Sequence, residues 1–401
     1  MIHMKIKGIH HISSIVWHAQ ENLDFYSGVL GYRLLKRAVN FDAPEIHHLY
    51  FGHPKLEHDT VLTFFPWKKS YKEGMIGDGQ VTLTALKIPY ASIQFWVNRF
   101  KQFNIPYDLI HDNDGSSVYF NDPHGIKYKL VEDETLMIDN ETVFDINPTE
   151  SIQSVHSVVL HSNKFIESVS FFKDTLKLQV IKEDIDFIRF HSGKSYNQYI
   201  DIINDSIGIS KMGAGTVHHL ALSVDKEDMN QFISVIQTLG LPLSEEKNRN
   251  FFHSVYFREP GGILIELATD EPGFPKNEVL EVEPALYLPP FLEHLRFKLE
   301  KELMPLWIKP VHELRSYPYE DYQTYQIWKS HQDLLSRINY FAKLSKERKL
   351  TLEETEEREQ LRRKYVENIT GQVRHNLNNV QIETEDGQKV SLKLKERKKH
   401  A

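Results

Sequence analysis

One pattern of hydrophobic and polar positions recurs four times between residues 5 and 270. Each copy starts with a strand-like alternation, continues with a helix-like stretch and ends in three short strand-like runs. The similarity is clearest between LDFYSGVLGYRLL and VSFFKDTLKLQVI, and between NDPHGIKYKLVED and REPGGILIELATD. Because a repeat of this length marks repeated supersecondary units, we predict four βαβββ modules at residues 5–66, 77–133, 152–205 and 213–270.

Modules of this kind curl into half-barrels, and paired half-barrels enclose a cleft lined by the inward side chains of their strands. The predicted fold class is therefore α+β. After the modules, PALYLPPFLEHLRFKLEKELMPL (284–306) indicates an extended wrap followed by a helix. The predicted domains are modules 1 and 2 in residues 1–140, modules 3 and 4 with the wrap in 141–310, a linker in 311–334 and a helical hairpin in 335–401.

The first strands of modules 1 and 4 each contain two adjacent histidines, in IHHISSIV (9–16) and VHHLALSV (217–224). Period-two alternation places His11 on one face with Ser13, and His219 on one face with small and polar neighbours. On the opposite face of the second strand, His218 is followed by apolar residues that would pack against the module helix. The face that carries His11 and His219 is therefore predicted to line the cleft.

A single carboxylate interrupts the apolar last strand of module 4, where Glu266 lies in GGILIELATD. A buried carboxylate is costly unless it is paired or bound to a metal. Its counterpart in module 2 is Lys129, and the first strand of that module, QVTLTALKI, has no histidine. Two strand histidines and one glutamate are the ligands of a 2-His-1-carboxylate site with three open positions. We predict that His11, His219 and Glu266 bind a metal, the alternative being hydrogen-bonded core histidines.

Composition narrows the chemistry of this site. The chain has no cysteine and 21 histidines, so thiolate ligands, cysteine nucleophiles and disulfides are excluded. The start, MIHMKIKGIHHI, has no signal-peptide hydrophobic region, and no run of about 18 apolar residues follows. We expect a cytoplasmic protein that does not enter a membrane.

Charge is unevenly distributed. Residues 331–401 hold 16 Lys and Arg against 12 Asp and Glu, whereas residues 1–330 have a net charge of −12. Phosphate binding needs clustered basic residues. We therefore expect no nucleic acid partner for residues 1–310, and the mildly basic tail leaves the question open only there.

Several of these segments together resemble a known family. They are GIHHISSI, VNFDAPEIHHLYFG, TVLTFFPW, GTVHHLALSV, KNRNFFHSVYFREPGGILIELATD and LPPFLE, which span about residues 5–306. They look like the ring-cleaving dioxygenases of the vicinal oxygen chelate (glyoxalase/bleomycin resistance) superfamily, of the MhqO type and the hydroquinone 1,2-dioxygenase type. The resemblance implies Fe(II) held by His11, His219 and Glu266, with Mn(II) or Zn(II) as substitutes. It also implies an aromatic diol and O₂ as substrates.

The resemblance also implies residues around the metal. His10 and His218 would either reach the substrate, which needs a strand twist or bulge, or support the neighbouring ligand by hydrogen bonds. Arg249 and Tyr256 would stabilise charge or move a proton, or have only a structural role. Ser13 stands where a threonine is common and keeps the hydroxyl.

Two other functions remain open from the sequence. A glyoxalase-like isomerase or lyase usually has a fourth protein ligand, a second carboxylate, for which TVLTFFPW in module 1 offers no candidate. A binding protein that sequesters an aromatic ligand would need a cleft but no metal, which leaves Glu266 unexplained. Metal content distinguishes the binding protein from both enzymes.

The tail resembles a second family, the small helical-hairpin proteins of the YnzC type, through LTLEETEEREQLRRKYVENITGQVRHNL and VQIETEDGQKVSLKLKE. Thr351 and Glu354 fit a capping box at the start of its second helix. The tail is predicted to be either an appended amphipathic hairpin with a solvated face or a module that docks a protein partner. The closing KLKERKKHA is predicted to be a disordered basic end, and the oligomeric state stays open.

Overall fold

The computed structural model describes most of the chain. Outside the described residues lie 1–3, 54–60, 68–70, 137, 139–144, 194–196, 274–284, 307, 310, 312–313, 315–336, 339, 347, 364, 366–380, 384–388 and 392–401. The chain forms two compact units, Met1–Tyr319 and Glu320–Ala401. Within the described part, no helix has the length and apolar character needed to cross a lipid bilayer.

Modules 1 and 2 both follow the predicted βαβββ order. The elements of module 1 are β1 (Gly8–Val16), α1 (Ala19–Leu23) with a π-helical turn (Asp24–Val29), β2 (Arg33–Asn40), β3 (Ala43–Gly52) and β4 (Val61–Pro66). Those of module 2 are β5 (Gln80–Pro89), α2 (Ile93–Gln102), β6 (Tyr107–Asp112), β7 (Gly115–Asn121) and β8 (Lys127–Asp133).

Modules 3 and 4 repeat this order. The elements of module 3 are β9 (Ser154–His161), α3 (Phe165–Ser170) with a π-helical turn (Phe171–Thr175), β10 (Gln179–Glu183), β11 (Phe187–His191) and β12 (Tyr199–Ile203). Those of module 4 are β13 (Thr216–Val224), α4 (Lys226–Thr238), β14 (Lys247–Asn248), β15 (His253–Arg258) and β16 (Leu264–Thr269). The prediction of four βαβββ modules in an α+β fold is confirmed.

The modules pair into two curled sheets. Among the described strands, β14-β15-β16-β13 of module 4 continue into β1-β4-β3-β2 of module 1, and β10-β11-β12-β9 of module 3 continue into β5-β8-β7-β6 of module 2. Each sheet therefore takes one module from each half of the chain. The junction of the first sheet is the antiparallel pair β1 and β13, which brings the two histidine pairs together. The domain limits at residues 140 and 310 stay predictions.

The helices of modules 1 and 3 share a π-helical turn, which accounts for the similarity of their sequences. Each ends in a π-helical turn, where the backbone N–H of Leu30 donates to Phe25 and that of Leu176 donates to Phe171. A π turn inserts one residue into a helix and shifts the side chains that follow it. The aromatic pairs at these turns, Phe25 with Tyr26 and Phe171 with Phe172, are buried in the two module cores.

The predicted wrap follows module 4 and covers the edge of the first sheet. It contains β17 (Leu286–Tyr287), which pairs in parallel with β2, a 3₁₀ helix (Pro290–Leu295) and α5 (Arg296–Glu302). Its leucines form a buried cluster with Val39 of β2, and Phe41 packs against that cluster. Because Phe41 also lines the cavity described below, the wrap supports one wall of that cavity.

The second unit is helical at residues 337–338, 340–346, 352–363 and 365, in agreement with the predicted hairpin. The capping box is confirmed, since Glu354 N–H donates to Thr351 Oγ1 at 3.2 Å and Thr351 N–H donates to Glu354 Oε2 at 2.8 Å. Two short strands, β18 (Gln381–Glu383) and β19 (Lys389–Ser391), form an antiparallel ribbon that the sequence analysis did not predict. The predicted linker is mostly, and the closing KLKERKKHA entirely, outside the described residues.

The Pro-Gly turns before β8 and β16 are both closed by a buried carboxylate. Asp122 Oδ1 accepts the backbone N–H groups of His124 and Ile126, and Glu259 accepts the backbone N–H of Ile263. Burial raises the pKa of Asp122 to about 7, in spite of these hydrogen bonds. The folded protein therefore favours the neutral form of Asp122 below this pH.

Asp122 should make stability depend on pH between about 4 and 7. A carboxyl whose folded-state pKa is raised contributes stability that is fully present below its ordinary pKa and is lost as pH rises through about 7. Relative to Asp122→Asn, the wild-type protein is expected to lose about 2 to 3 kcal/mol of unfolding free energy between pH 5 and pH 8. Urea denaturation of both proteins at several pH values measures this difference, and parallel curves would contradict the assignment.

Candidate metal centre

The two strands that carry the histidine pairs are bulged at the first histidine of each pair. In the pairing of β1 with β13, the register steps over His10 on one strand and His218 on the other. A bulge adds one residue and redirects the side chains beside it. Strict alternation placed His10 and His218 away from the cleft, and the bulges instead bring each of them beside the next histidine.

The second sheet has the same bulges but lacks the ligands. In the pairing of β5 with β9, the register steps over Thr82 and His156. The residues that follow them are Leu83 and Ser157, where the first sheet has His219 and His11. Both sheets therefore have the two β-bulges, but only the first sheet has histidines at the positions that follow them.

His11, His219 and Glu266 converge at the junction of the first sheet. The two Nε2 atoms are 3.2 Å apart, and Glu266 Oε2 is 3.2 Å from His11 Nε2 and 2.8 Å from His219 Nε2. All three side chains are buried. Among the described residues, this is the group of His, Asp and Glu side chains whose ligand atoms could share one ion.

The separations fit an ion bound on one face of an octahedron. Ligand atoms at about 2.1 Å from a metal lie about 3.0 Å apart when they are at right angles, close to the three distances here, 2.8 to 3.2 Å. Glu266 Oε1 accepts a hydrogen bond from Tyr256 at 2.7 Å, so Oε2 is the oxygen that faces the imidazoles. The donor set is therefore suited to a divalent metal with neighbouring positions open to other ligands.

Local electrostatics favour the protonation states that metal binding requires. Burial alone would raise the pKa of Glu266, but the imidazoles of His11 and His219 hold it well below its usual range. Burial lowers the pKa of His219, an effect that Glu266 opposes only in part. Ligands must be an ionised carboxylate and neutral imidazoles, and the site holds Glu266 and His219 in those forms.

His10 and His218 each contact the imidazole of the next histidine. His10 Nδ1 is 2.8 Å from His11 Nδ1, and His218 Nδ1 is 2.8 Å from His219 Nδ1. When Nε2 of a ligand histidine binds a metal, its proton is on Nδ1 and is donated to the neighbouring ring. Burial lowers the pKa of His218 to about 3, so it is a neutral acceptor.

Arg249 and Tyr256 form one hydrogen-bonded group with the carboxylate ligand. Arg249 Nη2 donates to Tyr256 OH at 3.3 Å, and Tyr256 OH donates to Glu266 Oε1 at 2.7 Å. Burial and the nearby carboxylate raise the pKa of Tyr256 well above its ordinary value, so its proton is retained. The pair places a fixed positive charge and a hydroxyl group beside the metal ligands.

A cavity of about 180 Å³ opens onto the two ligand histidines. A cavity of about 150 Å³ is known to hold benzene, so this one accommodates a single aromatic ring with small substituents. Aromatic side chains form much of its wall, from Phe41, Phe65, Trp67 and Phe252. Besides the two ligand histidines, polar side chains line it from Asn40, Asp42, His48, Tyr50, Tyr71, His218, Arg249 and Tyr256.

Two of the five predicted residues around the metal lie behind the cavity wall. His10 and Ser13 are buried and are absent from the described residues that line the cavity. Ser13 Oγ is 2.6 Å from Thr63 Oγ1, which is 3.1 Å from His48 Nε2. Sequence reasoning assigned no role to His48 or Tyr50, although both lie at alternate positions of a strand in the quoted HHLYFG segment.

Thr63 occupies the position that matches Glu266 in module 1. Thr63 pairs with Ser13, two residues after His11, and Glu266 pairs with Ala221, two residues after His219. A site with a second carboxylate ligand would carry it at this position. The hydroxyl of Thr63 instead hydrogen-bonds to Ser13 and His48, so this position supplies no carboxylate.

Comparisons with known proteins agree with this geometry. Residues 8–130 match the family model described as Glyoxalase/Bleomycin resistance protein/Dioxygenase superfamily. Residues 333–395 match a second model, a bacterial protein family of unknown function, which confirms the predicted resemblance of the tail to a separate family. The two matches lie on opposite sides of residue 320, where the two compact units meet in sequence.

Several relatives match most of this chain along most of their own length. MhqO of Bacillus subtilis, named as a ring-cleaving dioxygenase, is 39% identical over 76% of this chain and 98% of its own length. The chlorohydroquinone/hydroquinone 1,2-dioxygenase of Sphingobium indicum is 28% identical over 68% of this chain and 88% of its own. A solved dioxygenase structure from Bacillus subtilis superposes with a TM-score of 0.71 at 37% identity, over 77% of this chain and 99% of that one. The chain therefore belongs to the ring-cleaving dioxygenases of the glyoxalase/bleomycin resistance/dioxygenase superfamily.

Proposed function

We propose that the protein is an Fe(II)-dependent dioxygenase that opens the ring of a hydroquinone- or catechol-type diol with O₂. The observation that carries this proposal is the triad of His11, His219 and Glu266, whose two histidines line a cavity that accommodates one aromatic ring. A facial triad leaves positions for both a substrate hydroxyl and O₂. The name of the Sphingobium indicum relative supports the substrate class.

Iron bound by the triad would supply the redox chemistry that joins O₂ to the ring and would make a bound phenol more acidic. The chain itself orients and shields the ring, because Phe41, Phe65, Trp67 and Phe252 line the cavity and exclude water from the reacting groups. Arg249 then stabilises negative charge that develops on the substrate.

His218 is assigned to hydrogen-bond a substrate oxygen. Its Nδ1 accepts the proton of the His219 ring, at a distance of 2.8 Å, which leaves Nε2 as the N–H group of His218. This residue lines the cavity, and its Nε2–H can donate a hydrogen bond to a substrate oxygen and stabilise negative charge there. Tyr256 keeps its proton on the bond to Glu266 and serves mainly to fix that carboxylate.

The proposal predicts O₂ uptake that requires iron, a diol and His219. Protein reconstituted with Fe(II) under anaerobic conditions is mixed with O₂ and a panel of hydroquinones and catechols. His219→Ala should reduce uptake to the rate without protein. His156→Ala is the matched control, since it removes a buried histidine from the equivalent strand of the second sheet, and it should retain uptake.

Three other outcomes would contradict the proposal in different ways. No uptake by iron-loaded protein would favour the isomerase or lyase function. Failure to bind any metal would favour a protein that only sequesters an aromatic ligand. Uptake that survives His219→Ala would show that iron is bound elsewhere.

A further inference from the structure

A chain of four hydrogen-bonding side chains crosses module 1 from β1 to β3. Ser13 Oγ is 2.6 Å from Thr63 Oγ1, Thr63 Oγ1 is 3.1 Å from His48 Nε2, and His48 Nδ1 is 2.9 Å from Tyr50 OH. The imidazole of His48 also stacks on Phe65, with 4.1 Å between ring centroids. Tyr50 and His48 both line the cavity, so this series of hydrogen bonds ends at the wall that a bound ring would face.

Tyr50 is the module 1 counterpart of Tyr256. Tyr50 pairs with Thr63 across β3 and β4, and Tyr256 pairs with Glu266 across β15 and β16. Thr63 and Glu266 are themselves matched, as described above. The cavity therefore has one tyrosine on each of two related walls, and only the one in module 4 contacts a metal ligand.

The hydroxyl groups of Tyr256 and Tyr50 differ in whether they can donate or accept hydrogen bonds, because their partners differ. Tyr256 must donate to an ionised carboxylate, which only accepts hydrogen bonds. Tyr50 is bonded to His48, and a neutral imidazole donates from one nitrogen and accepts at the other. Because Thr63 and Ser13 can also donate or accept, all the hydrogen bonds from Ser13 to Tyr50 can reverse their donor and acceptor roles together. Tyr50 can accordingly either donate a hydrogen bond to a ligand or accept one.

We propose that Tyr50 hydrogen-bonds the hydroxyl of the aromatic diol that does not bind the metal, and that His48 and Thr63 position it. This inference rests on the proposed function and specifies how the substrate is selected. In the sheet order, β3 is two strands from β1, which is about 10 Å at ordinary strand spacing. A para hydroxyl points away from the metal-bound oxygen toward that wall, whereas an ortho hydroxyl stays beside the metal. Tyr50 therefore favours hydroquinones over catechols.

The test compares ligands that differ only in the second hydroxyl. Binding of hydroquinone and of 4-methylphenol to Fe(II)-loaded protein is measured by calorimetry without O₂, so that no turnover occurs. The wild-type protein should prefer hydroquinone by about 3- to 10-fold, the contribution of one neutral hydrogen bond. Tyr50→Phe should reduce this preference to about one. The Tyr50→Phe variant should keep the wild-type preference for catechol over 2-methylphenol. In turnover of hydroquinone, its KM should rise by a larger factor than its kcat falls.

Two further variants separate recognition from packing. Thr63→Val removes the hydrogen bond to His48, the residue that contacts Tyr50. It should lower the hydroquinone preference without changing the affinity for 4-methylphenol. Tyr26→Phe removes another buried tyrosine hydroxyl, one bonded to Asp122 and Tyr128 outside the cavity, and should leave the preference intact.

The possible failures are distinguishable. If the wild-type protein prefers hydroquinone and Tyr50→Phe keeps that preference, the role of Tyr50 is refuted and the proposed function stands. If Tyr50→Phe weakens both ligands equally, Tyr50 acts through packing and the inference is also wrong. If the wild-type protein binds neither ligand and takes up no O₂ with any diol, the proposed function itself fails.

Discussion

Glu266→Gln is expected to weaken divalent metal binding by at least about 100-fold, and turnover should fall with metal occupancy. Apparent binding free energies of about 10 to 16 kcal/mol for four-ligand zinc sites correspond to roughly 3 kcal/mol per ligand. Glutamine has nearly the same shape and can still accept the hydrogen bond from Tyr256, but it does not supply an anionic ligand. The effect therefore reports on the metal ligand and not on the packing of β16.

Glu259→Gln is the matched control for this prediction. Glu259 is another buried carboxylate in the same module, and burial raises its pKa. It accepts hydrogen bonds from Ser168 and from the backbone of Ile263, away from the triad. Its replacement should leave metal content unchanged.

Metal content after dialysis, titration with Mn(II) or Co(II), and the metal-induced rise in Tm measure the effect of Glu266→Gln without recourse to activity. A variant that keeps full occupancy and the same rise in Tm would show that Glu266 is not a ligand. In that case the two histidines would need another carboxylate partner.

The histidine pairs show what the sequence could and could not predict. HH occurs at 10–11, 47–48 and 218–219, and period-two alternation describes only the middle pair. His47 donates a hydrogen bond to the backbone carbonyl of Met304 in the wrap, while His48 lines the cavity. The outer pairs lie at bulges, and a bulge depends on the register of a strand more than 200 residues away. Alternation alone could not have revealed it.

The cavity wall was missed for a related reason. Ser13 joins Thr63, His48 and Tyr50 only because β4, and not β2, lies next to β1, an order that differs from the order of the strands in sequence. The polar residues at alternate positions of HHLYFG and VLTFFP were visible in the sequence. Their common function required the strand order, which the hydrophobic pattern does not encode.

The second sheet presents the converse case, in which an ion network occupies the position equivalent to the metal site. Lys129, the counterpart of Glu266, donates to Asp112 at 2.9 Å and to Asp114 at 2.5 Å. Arg189 of module 3 binds Asp201 with two hydrogen bonds of 2.7 Å and also binds Asp114 of module 2. Modules 2 and 3 are thus joined by an ion network where modules 1 and 4 are joined by the side chains of His11, His219 and Glu266. Only Lys129 was singled out from the sequence, since the other partners come from separate strands and turns.

Arg189→Ala is expected to destabilise the protein by about 3 to 5 kcal/mol, because it leaves two buried carboxylates with too little positive charge. Asp114 and Asp201 are almost completely buried, with side-chain exposures of 4% each. Burial alone would raise the pKa of Asp114, but Arg189 and Lys129 hold it well below its usual range. Loss of Arg189 removes the larger part of that compensation. Denaturation in urea at pH 7 measures the effect, and Arg258→Ala, at an exposed arginine, should change stability by less than about 0.5 kcal/mol.

The network is expected to matter for its balance of charge more than for the ion pairs themselves. Replacing a buried ion network as a whole by neutral residues of similar size is often neutral or stabilising. Arg189→Met combined with Asp114→Asn and Asp201→Asn should therefore recover most of the stability that Arg189→Ala loses. Both variants should bind metal normally when folded, because the triad lies in the other sheet. A triple variant as unstable as Arg189→Ala would show instead that the specific geometry of the ion pairs holds modules 2 and 3 together.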